Sequence, residues 1–294
     1  MKVYDCFLFY NELEMLDIRF NELYDTVHKF VLVESPFTHQ GTPKPLFYAE
    51  NKKRFEQFSD KIIYAVEDFH DTAPNPWARE FAQRNRALVE LEKLSIDGMD
   101  AVIVSDLDEI PRAASLPGLY SYFVNVEPEI TYLHMRFYYY YLNCDFAHLA
   151  WDRGYFAPYC VLKGLSLNQI RSAHSILPRI LPVLGKNEIV PRSHLTDAER
   201  ARDRFQHVRD NTTGWHFSYV GGVDSIIDKL KAFSHTEYNS DFFCNRDRIL
   251  QAISSNRGVI DGPDRFVVVP VDDSYPKYIR DNVEYFKKIG FIKT

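Results

Sequence analysis

Asp100-Ala101-Val102-Ile103-Val104-Ser105-Asp106-Leu107-Asp108-Glu109-Ile110-Pro111 is the stretch from which the fold can be read. Ala101–Val104 is short, apolar and β-branched, the texture of a buried strand. It breaks at once into Ser105, Asp106, Asp108 and Glu109. Acids this dense are poor tenants of a core. They suit the carboxyl end of a strand, where open α/β sheets place their ligands. Asp106 and Asp108, two apart, are spaced to share one hard cation and the oxygens of a phosphate. Pro111 ends the run. A turn after a buried strand, with its acids merely solvated, has the same spacing.

Upstream, strand and helix patterns alternate. Val3–Phe9 reads as a first strand with Asp5 as its interruption. Asn11 is a good helix cap with Glu14 as a capping-box partner, and Leu13, Leu16, Phe20, Leu23 and Tyr24 form a helical stripe. Lys29–Glu34 is a second strand, Phe47–Phe58 a helical segment, Ile62–Val66 a third strand and Trp77–Leu94 a longer helix. Three strand–helix steps before Ala101–Val104 give a doubly wound pattern, and right-handed crossovers make that sheet parallel. The glycine-rich turn of a dinucleotide fold is missing, because Asn11-Glu12-Leu13 stands at the first strand-to-helix turn.

Downstream the texture changes. Ile130–Leu142 is a strongly aromatic strand-like run, and Tyr155–Leu162 reads as its partner, so this half pairs in mixed or antiparallel fashion. Leu165–Ala173 suggests a short helix, and Ser175–Arg209 a loop with one more. Trp215–Val220 is a strand, Val223–Phe233 and Ser240–Ile253 are helices, Val267–Val271 is a late β run, and Tyr275–Lys288 is a closing helix. With neither repeat nor low-complexity linker, one domain over residues 1–294 is expected.

Composition narrows the function. A net charge of -6 over 294 residues argues against general nucleic-acid binding. Nineteen Tyr and twenty-two Phe are enough to line a cleft as well as fill a core. Cys6, Cys144, Cys160 and Cys244 are scattered, with neither zinc spacing nor a disulfide framework. No apolar run is long enough for a membrane span, and no signal peptide is evident, so a reducing, cytoplasmic setting is expected.

Two segments add to the acidic cluster. Arg84, with Arg79 and Arg86 nearby, offers a guanidinium fork for a diphosphate; ion pairs with Glu80 and Glu90 are the plainer use. In Gly214-Trp215-His216-Phe217-Ser218 the strand alternation turns His216 to one face and Trp215 with Phe217 to the other. One face must be a cleft or core. His235 is the alternative site histidine.

Taken together, the chain resembles glycosyltransferase family 17. The resemblance runs through Val3–Glu12, Arg19–Tyr24, Phe30–Glu34, Lys44-Pro45-Leu46, Gln83-Arg84-Asn85, Ser105–Pro111, Gly214–Ser218 and Ala232–Asn239. It implies a GT-A-like α/β fold: a Rossmann-like, mostly parallel sheet flanked by helices, with a mixed or antiparallel second part. Residues 1–112 would bind the nucleotide sugar, and 113–294 would supply the acceptor side and closing helices. It further implies a UDP-sugar donor, N-acetylglucosamine by analogy, and inverting transfer to a glycan hydroxyl. Asp106 and Asp108 would then hold Mn²⁺ or Mg²⁺ against the diphosphate, with His216 and next His235 as further metal or diphosphate contacts. Arg84 and Trp215 join the donor site, and Asn11, Glu12 and Glu34 wall the nucleotide pocket. An inverting displacement needs a base opposite the leaving group; the candidates are Glu237, Asp224 and Asp241, in that order. Rival readings are a metal-dependent phosphohydrolase or phosphotransferase with Asp106 as nucleophile, and a non-catalytic glycan-binding protein.

Overall fold

The four apolar runs up to the acidic stretch form four strands with the expected bounds: β1 Val3–Phe9, β2 Lys29–Glu34, β3 Ile62–Val66 and β4 Ala101–Val104. The computed structural model describes residues 2–69, 73–125, 130–172, 212–260 and 266–294. The four strands lie parallel in the order β3-β2-β1-β4, with helices Leu13–Leu23 and Pro76–Glu92 among their connections. Alternation along β1 explains the layering. Val3, Phe7 and Phe9 pack in one cluster with Leu16 and Phe20, while Tyr4 and Cys6 join Ala87 and Leu91 in another.

The second part is mixed, as expected, though its pairing differs in detail. Further strands are β5 Glu109–Pro111, β6 Thr131–Tyr132, β7 Met135–Tyr139, β8 Cys144–Trp151, β9 Tyr155–Pro158, β10 Gly214–Ser218 and β11 Val267–Val268. The aromatic run expected as one strand breaks at Leu133-His134, so β6 closes the first sheet through β9 while β7 enters a second sheet, β11-β8-β7-β10-β5. β7 therefore pairs with β8, and β9 pairs antiparallel with β4 and β6. β10 lies between β7, parallel, and β5, antiparallel. Gly214 is required there, since a Cβ would meet the Ile110 carbonyl oxygen at 2.3 Å.

Other departures have local causes. Glu12, not Asn11, stands at the N-cap of Leu13–Leu23, without a side-chain cap bond, and Glu14 is drawn off to Arg54. Phe47–Phe58 divides into an α-turn, Phe47–Glu50, and a 3₁₀ segment, Lys52–Lys61. The helix expected from Ser240 begins at Arg246, where Asn245 accepts from the Arg248 amide. The closing helix splits at Asn282. The Ser175–Arg209 loop and its short helix lie outside the described residues; just before them, Leu167–Ser172 is helical. All four cysteines are free thiols. Among the described residues no helix is long and apolar enough to cross a membrane.

Candidate active site

The site is built from beneath by two residues that interrupt apolar patterns. Asp5 lies inside β1 and Arg19 inside the apolar stripe of Leu13–Leu23, and both side chains are fully buried. The Arg19 guanidinium donates to both Asp5 carboxylate oxygens, at 2.6 and 2.8 Å. Its remaining N–H groups go to the carbonyls of Asp106, Leu107 and Glu109, at 2.8, 3.2 and 3.0 Å, and to Ser105 Oγ at 2.7 Å. One buried cation thus satisfies the carbonyls of the turn after β4 and fixes its shape.

Above this pin the acids are paired with cations. Asp106 Oδ1 accepts from Arg84 Nη2 at 2.7 Å and Oδ2 from Arg171 Nη2 at 2.6 Å. Burial works to raise the Asp106 pKa, but Arg171 and then Arg84 outweigh it and hold the carboxyl below its usual range. Glu109 accepts Arg171 through both oxygens, at 2.6 and 2.8 Å, and also the Trp151 indole N–H and the Asp106 amide. Asp108 Oδ2 accepts from Lys229 Nζ at 2.7 Å, with His216 Nε2 at 3.6 Å. Burial again opposes ionisation of Asp108, but Lys229 and His216 overcome it and depress the pKa strongly. Burial would lower the Lys229 pKa, yet Asp108, then Glu12, drive it up. The His216 ring lies between Phe137, stacked at 4.8 Å, and Trp151 at 4.5 Å, and its buried Nδ1 has no hydrogen-bond partner among the described residues.

A second buried chain backs Arg84. Arg84 Nη1 donates to Glu80 at 2.8 Å and to Asn168 at 2.7 Å. Glu80 accepts from Ser234 Oγ, which also meets His39 Nδ1 at 3.2 Å, and His39 Nε2 faces Gln83 Oε1 at 2.9 Å. Burial lowers the His39 pKa and prevails over the opposing pull of Glu80. The plainer expectation for Arg84, an ion pair with Glu80, holds, and the same guanidinium also pairs with Asp106.

These groups face a cleft of about 780 Å³. Asp106, Asp108, Arg84, His216, Glu12 and His235 all line it. So do Lys229 and Arg171, which sequence reasoning missed. Trp215 does not: its strand parity turns it into the core, where its indole N–H reaches the Ser274 carbonyl. Asn11 and Glu34 are not among the lining residues. Glu34 is buried behind the wall, accepting from Tyr64, Lys44 and the Tyr48 amide, and burial raises its pKa. Tyr10 and Lys44 present that wall instead. The three candidate bases are exposed. Asp224 pairs with Arg246 and Asp241 is solvated, both away from the lining. Glu237 reaches the cleft through His235, whose Nδ1 lies 2.7 Å from Glu237 Oε1 and whose ring packs edge-on to Trp77 at 4.6 Å.

Among the described residues no three His, Cys, Asp or Glu side chains converge as a protein-only metal cage would. A divalent ion carried by a diphosphate needs only one or two protein groups. Asp108 and His216 fit that need: the imidazole is wedged between rings with Nε2 towards the carboxylate. Asp106 is committed differently, each of its oxygens accepting from an arginine. His235 is engaged by Glu237 instead.

Parallel strand ends thus gather an acidic, cation-clamped cleft, the arrangement of an α/β enzyme. The family follows from sequence comparison: the chain belongs to glycosyltransferase family 17, whose model matches residues 1–176. Curated relatives include the Beta-1,4-mannosyl-glycoprotein 4-beta-N-acetylglucosaminyltransferases of Homo sapiens and Rattus norvegicus, each 34% identical over 110 residues. The match covers 34% of this chain and only 20% of those relatives' length. Similar solved structures include S. aureus TarS residues 1–349, at TM-score 0.35 and 13% identity, covering 87% of this chain and 71% of that one. Another is glucosyl-3-phosphoglycerate synthase from Mycobacterium tuberculosis, at TM-score 0.30 and 13% identity, covering 63% and 61%.

Proposed function

We propose that the protein is an inverting transferase that moves a sugar from a UDP-sugar, N-acetylglucosamine being the first to test, to a glycan hydroxyl with a β linkage. The observation that carries this is the convergence of Asp108, His216 and Lys229 beside the arginine-clamped Asp106, at the end of β4. A nucleoside diphosphate leaving group needs positive charge where its own negative charge develops. Lys229, Arg171 and Arg84 are cations on cleft-lining side chains, held in place by the acids they pair with. Asp108 and His216 would hold Mn²⁺ or Mg²⁺, which when bound supplies Lewis-acid neutralisation of the departing phosphate.

The acceptor side is assigned to His235 with Glu237. Of the three exposed carboxylates, Glu237 alone touches a group that lines the cleft. Its carboxylate orients the imidazole that would take the acceptor's proton. Trp77 beside it is 41% exposed and offers a flat face for a sugar ring.

The test is a panel of UDP-sugars with Mn²⁺, read as released UDP with and without glycan acceptors. Metal-dependent release from UDP-N-acetylglucosamine that disappears in Asp108→Asn supports the reading. A phosphoenzyme trapped on Asp106, or no turnover or binding of any UDP-sugar, would sink it.

A further inference from the structure

We infer that Lys229 is a resident counter-cation that keeps divalent metal out of the site until the donor diphosphate arrives. The inference rests on the donor-site reading above and adds an order of binding to it.

Asp108 and His216 are the two groups fitted to a divalent ion, and a cation is already there. Lys229 Nζ lies 2.7 Å from Asp108 Oδ2, the same oxygen that His216 Nε2 approaches at 3.6 Å. The ammonium is built in. Lys229 is on the inward face of helix Gly222–Ala232, one turn from its end, and its charge also sits 5.2 Å from the Tyr219 ring. The backbone on the other side is equally fixed: Asp108 O accepts the Phe217 amide and Arg19 holds the flanking carbonyls. Asp106 beside it already has an arginine on each oxygen, Arg84 on one and Arg171 on the other.

A divalent ion entering alone would have to displace the ammonium from Asp108 or sit against it. Like charges at such a separation repel strongly in a partly buried site. A diphosphate changes this balance. Its oxygens give the Lys229 ammonium a new partner, which frees Asp108, and they also complete the metal's oxygen shell. Nucleotide and metal therefore help each other to bind, and the help is reciprocal by linkage. Removing the lysine charge should shift affinity towards metal alone and weaken that mutual help.

The experiment measures Mn²⁺ affinity by the loss of the free-ion paramagnetic resonance signal, without nucleotide and with saturating UDP, on the whole chain. Wild type should bind Mn²⁺ weakly alone and on the order of 10- to 100-fold more tightly with UDP. Lys229→Met should bind Mn²⁺ alone on the order of tenfold more tightly than wild type and show a smaller gain with UDP. Lys229→Arg keeps a cation beside Asp108, so its affinity for Mn²⁺ alone should stay as weak as in wild type; a gain there equal to that of Lys229→Met would show that the charge is not the cause. Equal Mn²⁺ affinity of nucleotide-free wild type and Lys229→Met, with the UDP gain intact in both, overturns the role of Lys229 and leaves the donor site standing. Absence of UDP binding to wild type at any Mn²⁺ concentration overturns the donor site and this inference together.

Discussion

Two ion pairs of nearly equal length lie at opposite extremes of burial, one beneath the cleft and one on the outer surface. Arg19 and Asp5 meet at 2.6 Å with both side chains 0% exposed, while Arg246 and Asp224 meet at 2.5 Å with 58% and 78% exposure. Distance alone would rank them together. Their surroundings do not: a charge pair beneath the β4 turn is weakly screened and has no water to fall back on, whereas the outer pair exchanges freely with solvent. The floor of the site is a committed charge network, and the outer rim and surface carry adjustable polar groups. That division suits the transferase proposed above.

The most damaging change should be at the floor. Arg19→Met keeps an unbranched apolar stem but leaves Asp5 as an unpaired buried charge and strips the turn carbonyls of their donor. Breaking one partner of a buried pair costs about 3–5 kcal/mol, so a drop in melting temperature of roughly 10 °C is expected in thermal unfolding. A drop of only a degree or two would mean the floor is as replaceable as the rim.

Next in size is Asp108→Asn. The amide keeps the shape and removes the charge that Lys229 and His216 face. UDP release from the donor should fall by about 10²–10³-fold, the range seen when one electrostatic contact to a developing charge is lost. His235→Gln, on the rim, should reduce transfer to acceptor by about 10²-fold while leaving donor hydrolysis in place. Equal loss of both would move His235 from the acceptor side to the donor side.

Much of this contrast could be read from the sequence, and the part that could not has a definite cause. The strands β1–β4 were fixed by apolar runs with sharp polar ends, and the Asp106–Glu109 stretch announced itself as a strand-end acid cluster. Local pattern even marked Asp5, though as an interruption. What the chain order hid was pairing: Lys229 is 121 residues from Asp108, and Arg171 is 65 from Asp106. A lone lysine in an amphipathic helix has the same local signature whether it faces solvent or a carboxylate. Arg19, set between Ile18 and Phe20, offered a further hint that the reading of that helix passed over. The rim acids were overvalued for the opposite reason: Asp224 and Asp241 lie near the right sequence segments but on the outer surface.

A smaller effect tests the boundary between the two regions. His39 joins the buried chain through Ser234 and Gln83, and its pKa is lowered from the ordinary 6.5 chiefly by burial. The unfolded chain therefore binds this proton more readily than the folded one. Stability from His39 is complete above about pH 6.5 and is lost as pH falls below it towards the folded value. His39→Gln should flatten that decline in denaturant midpoints measured from pH 7.5 to 5. An unchanged slope would place His39 with the solvated rim.

The smallest expected effect is the most exacting check on the comparison. Asp224 lies in the first turn of helix Gly222–Ala232, where a carboxylate favours the helix N-terminus, and it carries a short bond to Arg246. Both contributions act at the surface, where water and salt screen them and where holding two long side chains together opposes the gain. Asp224→Ala should therefore shift the melting temperature by no more than about a degree, and transfer should stay within about twofold of wild type. The Arg246 link gives the depressed Asp224 pKa its cause, a side-chain hydrogen bond first and charge second. A depressed pKa at an exposed site reports that bond rather than catalysis. If Asp224→Ala instead removed transfer while sparing UDP release, the rim would hold a fixed catalytic carboxylate after all, and the assignment of acceptor chemistry to His235 and Glu237 would have to yield to it.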